Sequence, residues 1–259
     1  MSNRNVNTFT DYYEQEELWG NNTINSRLLT RIDKTLSMIP NDTKSVLDVG
    51  CGDGRITNVL SERFAFVVGT DISYNALKHV KGKKVLSKGT TLPFQDGSFD
   101  LVITCEVLEH ILYHDYFNAL KELERVSKNY ILVTVPNEQN LQDRFAKCLA
   151  CGATFHADRH LRSYSLGNLK MLFSNFEYVR HEYIGRKRKR AYRYDTFLRQ
   201  QLGNRWSKSK TNVCPQCGYK GSKQKKRKLI LIMLDILRMI VPRKRRYQWI
   251  GVLYTKNNK

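Results

Sequence analysis

The chain lacks an apolar run long enough to cross a membrane as a helix. Its most apolar segment, residues 229–241, is 13 residues long and contains Asp235 and Arg238, whereas a spanning helix needs about 20 apolar residues. No signal-like apolar run follows the first charges of the N-terminus. We therefore expect a cytoplasmic protein that is not exported.

The 259 residues also contain no internal repeat and no low-complexity spacer. This favours one large domain with insertions over two linked domains. We expect a helical N-terminal cap over residues 1–43, a core over 44–185, an insertion over 186–246, and a final strand with its tail over 247–259.

Acidic side chains are scarce in one part of the chain only. Residues 1–179 carry 20 Lys and Arg against 21 Asp and Glu, but residues 180–246 carry 22 against 3. A positive field so concentrated predicts an anionic partner, either a phosphate-bearing lipid surface or nucleic acid. The alternative is a solvated basic surface without a partner, which the mutual repulsion of so many like charges disfavours.

Residues 46–55, VLDVGCGDGR, predict a buried strand that ends in a glycine loop. Gly50, Gly52 and Gly54 alternate along the loop, where the missing side chains let the backbone turn tightly and approach a ligand. Asp48 lies where the strand ends. The pattern is typical of a nucleotide-binding unit in which the loop joins a strand to a helix.

A helix is expected over residues 55–64, and a second apolar strand over 66–70 ends at Asp71. A carboxylate at the end of the second strand can accept hydrogen bonds from the hydroxyls of a ribose. The loop reads G-x-G-x-G instead of the G-x-G-x-x-G of dinucleotide-binding folds, which argues against NAD. The pattern therefore predicts a nucleoside cofactor that needs no pyrophosphate site.

Strands and helices alternate along the first half of the chain. This alternation predicts an α/β fold with a doubly wound sheet. The expected strands cover residues 46–49, 66–70, 84–86, 100–104, 130–135, 176–184 and 249–255.

With these motifs the chain resembles the class I S-adenosylmethionine-dependent methyltransferases, and residues 92–111, LPFQDGSFDLVITCEVLEHI, resemble their type 11 branch. The resemblance is strong over residues 44–136 and fades in the basic segment. It implies a seven-stranded Rossmann-like sheet with an antiparallel last strand, S-adenosylmethionine as the cofactor, and methyl transfer as the reaction. The basic insertion would then precede the last strand.

The same resemblance assigns the cofactor contacts. It implies that Asp71 and Ile72 bind the ribose and adenine, that Thr91 and Leu92 wall the adenine, and that Glu106 contacts the cofactor where the chain turns toward the methyl group. Without the family, Glu106 and Glu109 are ordinary helix charges. The amino-acid end of the cofactor would be held by the loop residues Asp48, Gly50, Cys51, Gly52 and Gly54.

Four of the six cysteines form two matching C-x-x-C-G knuckles. Such a turn directs backbone amides toward two thiolates, and two turns supply the four sulfurs of a tetrahedral structural zinc site. Disulfides are the alternative, which an oxidising compartment would favour. The expected zinc ligands are Cys148, Cys151, Cys214 and Cys217, with His156 as the nearest substitute.

The apolar segment 229–241 is expected to be a helix, with basic clusters at residues 223–228 and 243–246. Basic ends suit a helix that lies in the interface of an anionic membrane. The alternative is a core helix packed against the sheet, since a run of this length is equally compatible with a domain interior.

Residues 155–165 resemble the F-H-x-x-G-H-x-R-S-F element of some type 11 methyltransferases, with Arg159 in place of the glycine. The segment follows the fifth strand, so it would overhang the acceptor pocket. His160 and His110 are therefore candidate general bases, although hydrogen-bonded structural histidines are commoner.

Residues 12–19 carry aromatic and acidic side chains, which suit either a lid over a cationic cofactor or an ordinary amphipathic entry helix.

Three functions fit these observations. The first is O-methylation of a saccharide or lipid-linked acceptor at the cytoplasmic membrane face. The second is RNA methylation, with the basic arm on phosphates and Tyr192, Tyr194 and Trp206 stacked on bases; nothing points to DNA. The third is a cofactor-binding partner subunit without turnover. Small soluble acceptors, such as quinone precursors, complete the range.

Overall fold

The computed structural model describes residues 12–20, 25–189, 193–207, 213–220, 229–240 and 244–257. The expected basic cluster at residues 223–228, together with Tyr192 and Arg243, lies outside the described residues.

Seven strands form the main sheet: β1 Ser45–Val49, β2 Phe66–Asp71, β3 Lys83–Leu86, β4 Phe99–Cys105, β5 Ser127–Pro136, β8 Phe176–Ile184 and β11 Trp249–Lys256. Four short strands form two pairs: β6 Phe145–Lys147 with β7 Thr154–His156, and β9 Arg188–Lys189 with β10 Arg245–Arg246. The helices are α1 Ser26–Leu36, α2 Thr57–Arg63, α3 Tyr74–Leu77, α4 Tyr116–Val126, α5 Leu166–Lys170, α6 Arg193–Gln201 and α7 Leu229–Ile240.

The strand order of the main sheet is β3-β2-β1-β4-β5-β11-β8. Strands β1 to β5 run parallel, and β11 lies antiparallel between β5 and β8. All seven expected strands are present, so the prediction of a doubly wound, seven-stranded methyltransferase sheet is confirmed. The order reverses between β1 and β4, which creates the crevice where such sheets bind ligands.

Helices cover both faces of the sheet. On one face Leu120 and Leu123 of α4 pack on Val102 and Val133. On the other face Ile32 of α1 and Leu60 of α2 pack on Leu101, Ile103 and Leu132. Each fully buried side chain of this kind contributes about 1.5–3 kcal/mol, which explains why the central strands are continuous apolar runs and do not alternate.

Helix starts follow local capping chemistry. The Asn25 side chain accepts a hydrogen bond from the Leu28 amide at the start of α1, and Ser165 with Asn168 forms a capping box at α5. Both satisfy amides that a helix leaves without partners in its first turn.

The insertion between β8 and β11 begins and ends as a two-stranded ribbon, because Arg245 and Arg246 of β10 pair with β9. Its two helices are joined through one buried guanidinium: Arg199 of α6 donates to Asp195 and, at 2.7 Å, to Asp235 of α7. Asp235 therefore serves as an internal contact between helices.

Within the described residues, no helix is long and apolar enough to cross a membrane.

Candidate functional site

A cavity of about 770 Å³ lies at the carboxyl ends of β1, β2 and β4. Its walls come from the loop after β1, the end of β2, the segment after β3, the segment after β4 and the N-terminal segment. Among the expected site residues, those that line it are Asp48, Gly50, Cys51, Gly52, Asp71, Ile72, Glu106 and His110.

The glycine loop has a backbone conformation that residues with a Cβ atom rarely adopt. Gly50, Gly52 and Gly54 have φ values of +73°, +55° and +78°. The amides of Gly50 and Cys51 both donate to the Thr70 carbonyl, which ties the loop to β2. A Cβ on Gly50 would lie 2.4 Å from Val107. Gly54 is outside the cavity lining, and its role is the turn itself.

Asp48 is buried at the end of β1 and accepts a 2.7 Å hydrogen bond from the Thr57 hydroxyl at the start of α2. Burial raises the pKa of this carboxyl to about 7, although the Thr57 hydrogen bond opposes the shift. Asp48 thus places a titratable group with a near-neutral pKa at the floor of the cavity.

Asp71 organises the rim of the cavity. One carboxylate oxygen accepts from the Gly52 amide at 2.8 Å, and the other accepts from the Ser73 amide at 2.9 Å. A carboxylate offers about four acceptor positions, and the Ile72 amide is a third backbone group that acts on it, so at least one position remains for a ribose hydroxyl. Burial raises the pKa of Asp71, against the lowering effect of these hydrogen bonds.

The adenine wall differs from the expectation. The segment after β3 lines the cavity with Ser87 to Thr90, and Thr91 and Leu92 lie outside that lining. Leu92 packs in the core instead, where its amide donates to Glu122 and its carbonyl accepts from Arg125. The residues of this segment that line the cavity therefore end at Thr90, one residue before the expected pair Thr91 and Leu92.

The N-terminal segment closes one side of the cavity. Glu14 accepts hydrogen bonds from the amides of Tyr74 and Asn75 at the start of α3. The Trp19 indole donates to the Tyr13 carbonyl, and its ring lies over Gly52. Tyr13, Leu18 and Trp19 line the cavity; the geometry is that of a lid, one of the two roles expected for this segment.

Glu106 lies in the left-handed region at φ +60°, a conformation that costs about 1–3 kcal/mol for a residue other than glycine. Its carboxylate accepts a 2.6 Å hydrogen bond from the Trp249 indole and lies 3.8 Å from Arg31. Burial raises the pKa of Glu106 to about 7, although Arg31 lowers it. Sequence patterns gave no signal for Trp249 or Arg31, which are distant in the chain.

Three histidine rings meet beside the cavity. The centroids of His110 and His160 are 4.6 Å apart, and His160 stacks on His156 at 4.8 Å. Burial lowers the pKa values of His110 to about 3 and of His160 to about 4, so both rings are neutral at physiological pH. Such low values make them weak proton acceptors, and His160 lies outside the cavity lining.

The four knuckle cysteines converge. Cys148 lies 3.5 Å from Cys217 and Cys151 lies 3.6 Å from Cys214, sulfur to sulfur, and all four sulfurs are within 4.8 Å of one another. Edges of a tetrahedral zinc–thiolate site are about 3.8 Å, from a Zn–S bond of about 2.3 Å. These distances fit a metal and are too long for disulfides.

The two knuckles have the same backbone. Gly152 and Gly218, which follow the second cysteine of each knuckle, have φ values of +76° and +69°. Each also donates its amide to the carbonyl of its knuckle's first cysteine. The first knuckle is the turn of the β6–β7 hairpin. His156, the expected substitute ligand, is outside this cluster, and its Nδ1 accepts from the amides of Asp158 and His160.

Arg159 connects the second knuckle to the lid. Its φ of +62° explains why glycine is typical of this motif position. The guanidinium donates to the Val213 carbonyl, next to Cys214, and lies 4.6 Å from the ring centroid of Tyr12. The departure from the family motif therefore preserves the turn and adds a bridge between the insertion and the cavity.

The remaining two cysteines, Cys51 and Cys105, are unreactive thiols. Burial raises the pKa values of Cys51 and Cys105 far above the usual range of thiols. Both remain protonated at neutral pH, and neither is suited to nucleophilic catalysis.

Comparison with known proteins agrees with this geometry. Residues 47–130 match the family model described as Methyltransferase domain. The chain carries a methyltransferase domain of the S-adenosylmethionine-dependent class. A solved S-adenosylmethionine-dependent methyltransferase from Archaeoglobus fulgidus shares the fold, with a TM-score of 0.54 and 19% identity over 89% of this chain and 95% of that one.

Two relatives match part of the chain. An uncharacterized protein of Methanocaldococcus jannaschii is 33% identical over 137 residues, 51% of this chain and 58% of that protein. The ubiquinone biosynthesis O-methyltransferase of Idiomarina loihiensis is 37% identical over 79 residues, 26% of this chain and 32% of that enzyme. The chain thus matches less than two thirds of either relative.

Proposed function

We propose that this protein transfers a methyl group from S-adenosylmethionine to a hydroxyl of a lipid-linked acceptor, such as a saccharide, at an anionic membrane surface. The cofactor supplies a methyl group activated on a positively charged sulfur. Asp71 would accept hydrogen bonds from its ribose, and the glycine loop would let its amino-acid end approach the backbone. The methyl group would then face the segment after β4.

Catalysis of this step depends mainly on alignment and on exclusion of water. The lid formed by Tyr13, Leu18 and Trp19 would exclude water from the side of the cavity that faces the glycine loop. On the acceptor side, Glu106 has the near-neutral pKa that suits a general base. His110, with His160 packed against it, would shape the acceptor side of the pocket.

The observation that supports a membrane acceptor is the outer face of the insertion. Leu231 and Leu234 of α7 are buried, but Ile232, Met233, Ile236 and Leu237 are 45–60% exposed. On the neighbouring α6, Tyr194, Phe197 and Leu202 are at least half exposed. An apolar face in a strongly basic segment is typical of a surface that inserts among anionic lipid headgroups.

Relatives also favour an oxygen acceptor. The Idiomarina enzyme is named for O-methylation in ubiquinone biosynthesis. We extend only the reaction type to this chain.

We also infer that the four knuckle cysteines hold a structural zinc ion. The ion would fix the chain around Cys214 to the β6–β7 hairpin of the methyltransferase core. It would thereby hold the apolar face of α6 and α7 at a constant position relative to the cavity.

The test is partition of the purified protein between anionic liposomes and structured RNA, at matched phosphate concentration and near-physiological salt. The proposal predicts preferential liposome binding and transfer of a radiolabelled methyl group into lipid extracts. Preferential RNA binding, with label in RNA, would contradict it and favour the RNA alternative, for which the exposed Tyr194 ring is available.

Matched variants separate the surface from the fold. Serine at Ile232, Met233, Ile236 and Leu237 should abolish liposome binding and leave the melting temperature unchanged. Serine at the buried Leu231 and Leu234 should destabilise the protein by about 2–5 kcal/mol each. Retained liposome binding by the first variant would exclude α7 as the membrane contact.

A further inference from the structure

We infer that Glu109, His110 and His160 form a second metal site, for a divalent first-row cation, at the acceptor side of the cavity. One ligand atom from each residue lies within 4.8 Å of the others. The site is separate from the four cysteines and differs from them in chemistry, since it offers one carboxylate and two imidazoles.

The carboxylate of Glu109 is the first argument. The residue is fully buried, and both of its side-chain oxygens are without a hydrogen-bond partner. Leaving a carboxylate buried and unpaired costs several kcal/mol, unless a cation or a proton compensates it. The other buried glutamate of the core, Glu124, instead accepts hydrogen bonds from Ser174 and Asn175.

The imidazole of His160 is held in a tautomer that leaves one nitrogen free for a metal ion. Metal ligation requires a neutral ring with a free lone pair. Nδ1 of His160 lies 2.5 Å from Oε1 of Gln139, an atom that only accepts, so Nδ1 carries the proton and Nε2 holds the lone pair. Such an outer hydrogen bond is what orients metal-bound histidines in proteins.

The surroundings supply negative charge and access. One carboxylate oxygen of Glu106, which precedes Glu109 and His110 in the segment after β4, is also buried without a partner. His110 lines the cavity, so a cation on it would meet the acceptor. Three protein ligands with further positions open is the arrangement of catalytic metal sites, and two histidines with one carboxylate suit Mn²⁺, Fe²⁺ or Co²⁺.

The role of this cation rests on the proposed function, whereas its binding does not. A cation here would lower the pKa of an acceptor hydroxyl bound to it. The hydroxyl would lose its proton to the Glu106 carboxylate, the general base proposed above. Its oxygen would form the new bond to the methyl carbon as the carbon–sulfur bond breaks, leaving that electron pair on sulfur.

The experiment is titration of the full chain with Mn²⁺, followed by the electron paramagnetic resonance signal of free Mn²⁺, without methyl donor or acceptor. Thiolates are soft ligands that disfavour Mn²⁺, so the cysteines should not contribute. We expect one ion per chain, and an affinity loss of more than about 100-fold in Glu109→Gln, since loss of an outer-shell contact alone costs about 10- to 100-fold. Glu124→Gln should bind as the wild type does.

Thermal melting provides the second readout. In EDTA, Glu109→Gln should melt at or above the wild-type temperature, because the substitution removes an unpaired buried carboxyl. Added Mn²⁺ should raise the melting temperature of the wild type and not that of the variant. Absence of Mn²⁺ binding to the wild type, or equal binding by Glu109→Gln, would overturn the site and identify Glu109 as a protonated structural acid. Neither result bears on binding of the methyl donor.

Discussion

The core and the insertion use charged residues in opposite ways. In the core, carboxylates such as Asp48 and Asp71 are buried and organise backbone and cavity. In the insertion, the few acidic groups serve internal ion pairs: Asp195 and Asp235 both contact Arg199. Most of the positive charge of the insertion therefore has no acidic counterpart within its own segment. The buried carboxylates of the core suit a small ligand, and we propose that the excess positive charge of the insertion serves a large anionic surface.

The largest loss of cofactor affinity is expected from a substitution of Gly50. It tests whether the core binds the cofactor. Gly50→Val places a Cβ against Val107 in a backbone conformation that valine disfavours, so cofactor affinity should fall at least about 100-fold. Gly152→Ala is the matched control, since its φ is also positive but nothing lies within 4 Å of the added atom. Titration calorimetry with S-adenosylhomocysteine measures both. Similar losses in the two variants would refute a specific role for the loop.

The second prediction separates the two regions by their metal dependence. Cys214→Ser should remove zinc from the purified protein, because three thiolates no longer complete the tetrahedron. Hydrogen exchange should then accelerate in residues 213–220 and in α6 and α7, while β1, β4 and β5 stay protected. Cys105→Ser is the control for metal content. A wild-type protein purified without zinc would contradict the site.

The third prediction concerns pH and the buried Asp48. Its pKa is 3.8 in a free chain and about 7 in the fold, so the folded state binds more protons between these values. Asp48 therefore makes stability fall as pH rises from about 4 to 7, with no further change above 7. Asp48→Asn should remove this slope and melt higher than the wild type at pH 8 without ligand. A pH-independent difference between the two proteins would contradict the shift.

The smallest effect is expected where the two regions meet. Arg159→Gly restores the family motif and keeps the turn, but it removes the contacts to Val213 and Tyr12. We expect a several-fold loss of cofactor affinity with unchanged melting of the core, measured by calorimetry and calorimetric scanning. Arg159→Lys, which keeps the charge but loses the planar fork, should lie between the wild type and Arg159→Gly. Equal affinities in all three would mean that the regions act independently.

Much of the fold and the position of the cavity could be predicted from the sequence, because the strands and the glycine loop are each specified by a few consecutive residues. Short apolar runs predicted the strands, and the glycine loop with Asp71 predicted the position of the cavity. The structure places Leu92 in the core because the irregular β3–β4 connection, residues 87–98, has no period that fixes which residue faces the cavity. Contacts between Trp249 and Glu106, or between Arg159 and Tyr12, join residues far apart in the chain and leave no local pattern.

Pairing of the two knuckles was readable from the sequence for a different reason. The repeated C-x-x-C-G turn specifies its own backbone, and the glycine supplies the positive φ that closes it. The sequence between the two knuckles does not show that they lie close together. Their proximity depends on the sheet, which brings the insertion back toward β6 and β7. Glu109 was read as a candidate helix charge because burial at that position depends on residues 155–165 covering it.

The most direct test of the account is a calorimetric titration of S-adenosylhomocysteine into the wild type and Asp71→Ala. The account predicts one binding site per chain and a loss of affinity of roughly 10- to 100-fold in the variant, from loss of charged hydrogen bonds to ribose and loop. Equal affinities would contradict cofactor binding at the end of β2, and with it the central claim that the core holds the methyl donor.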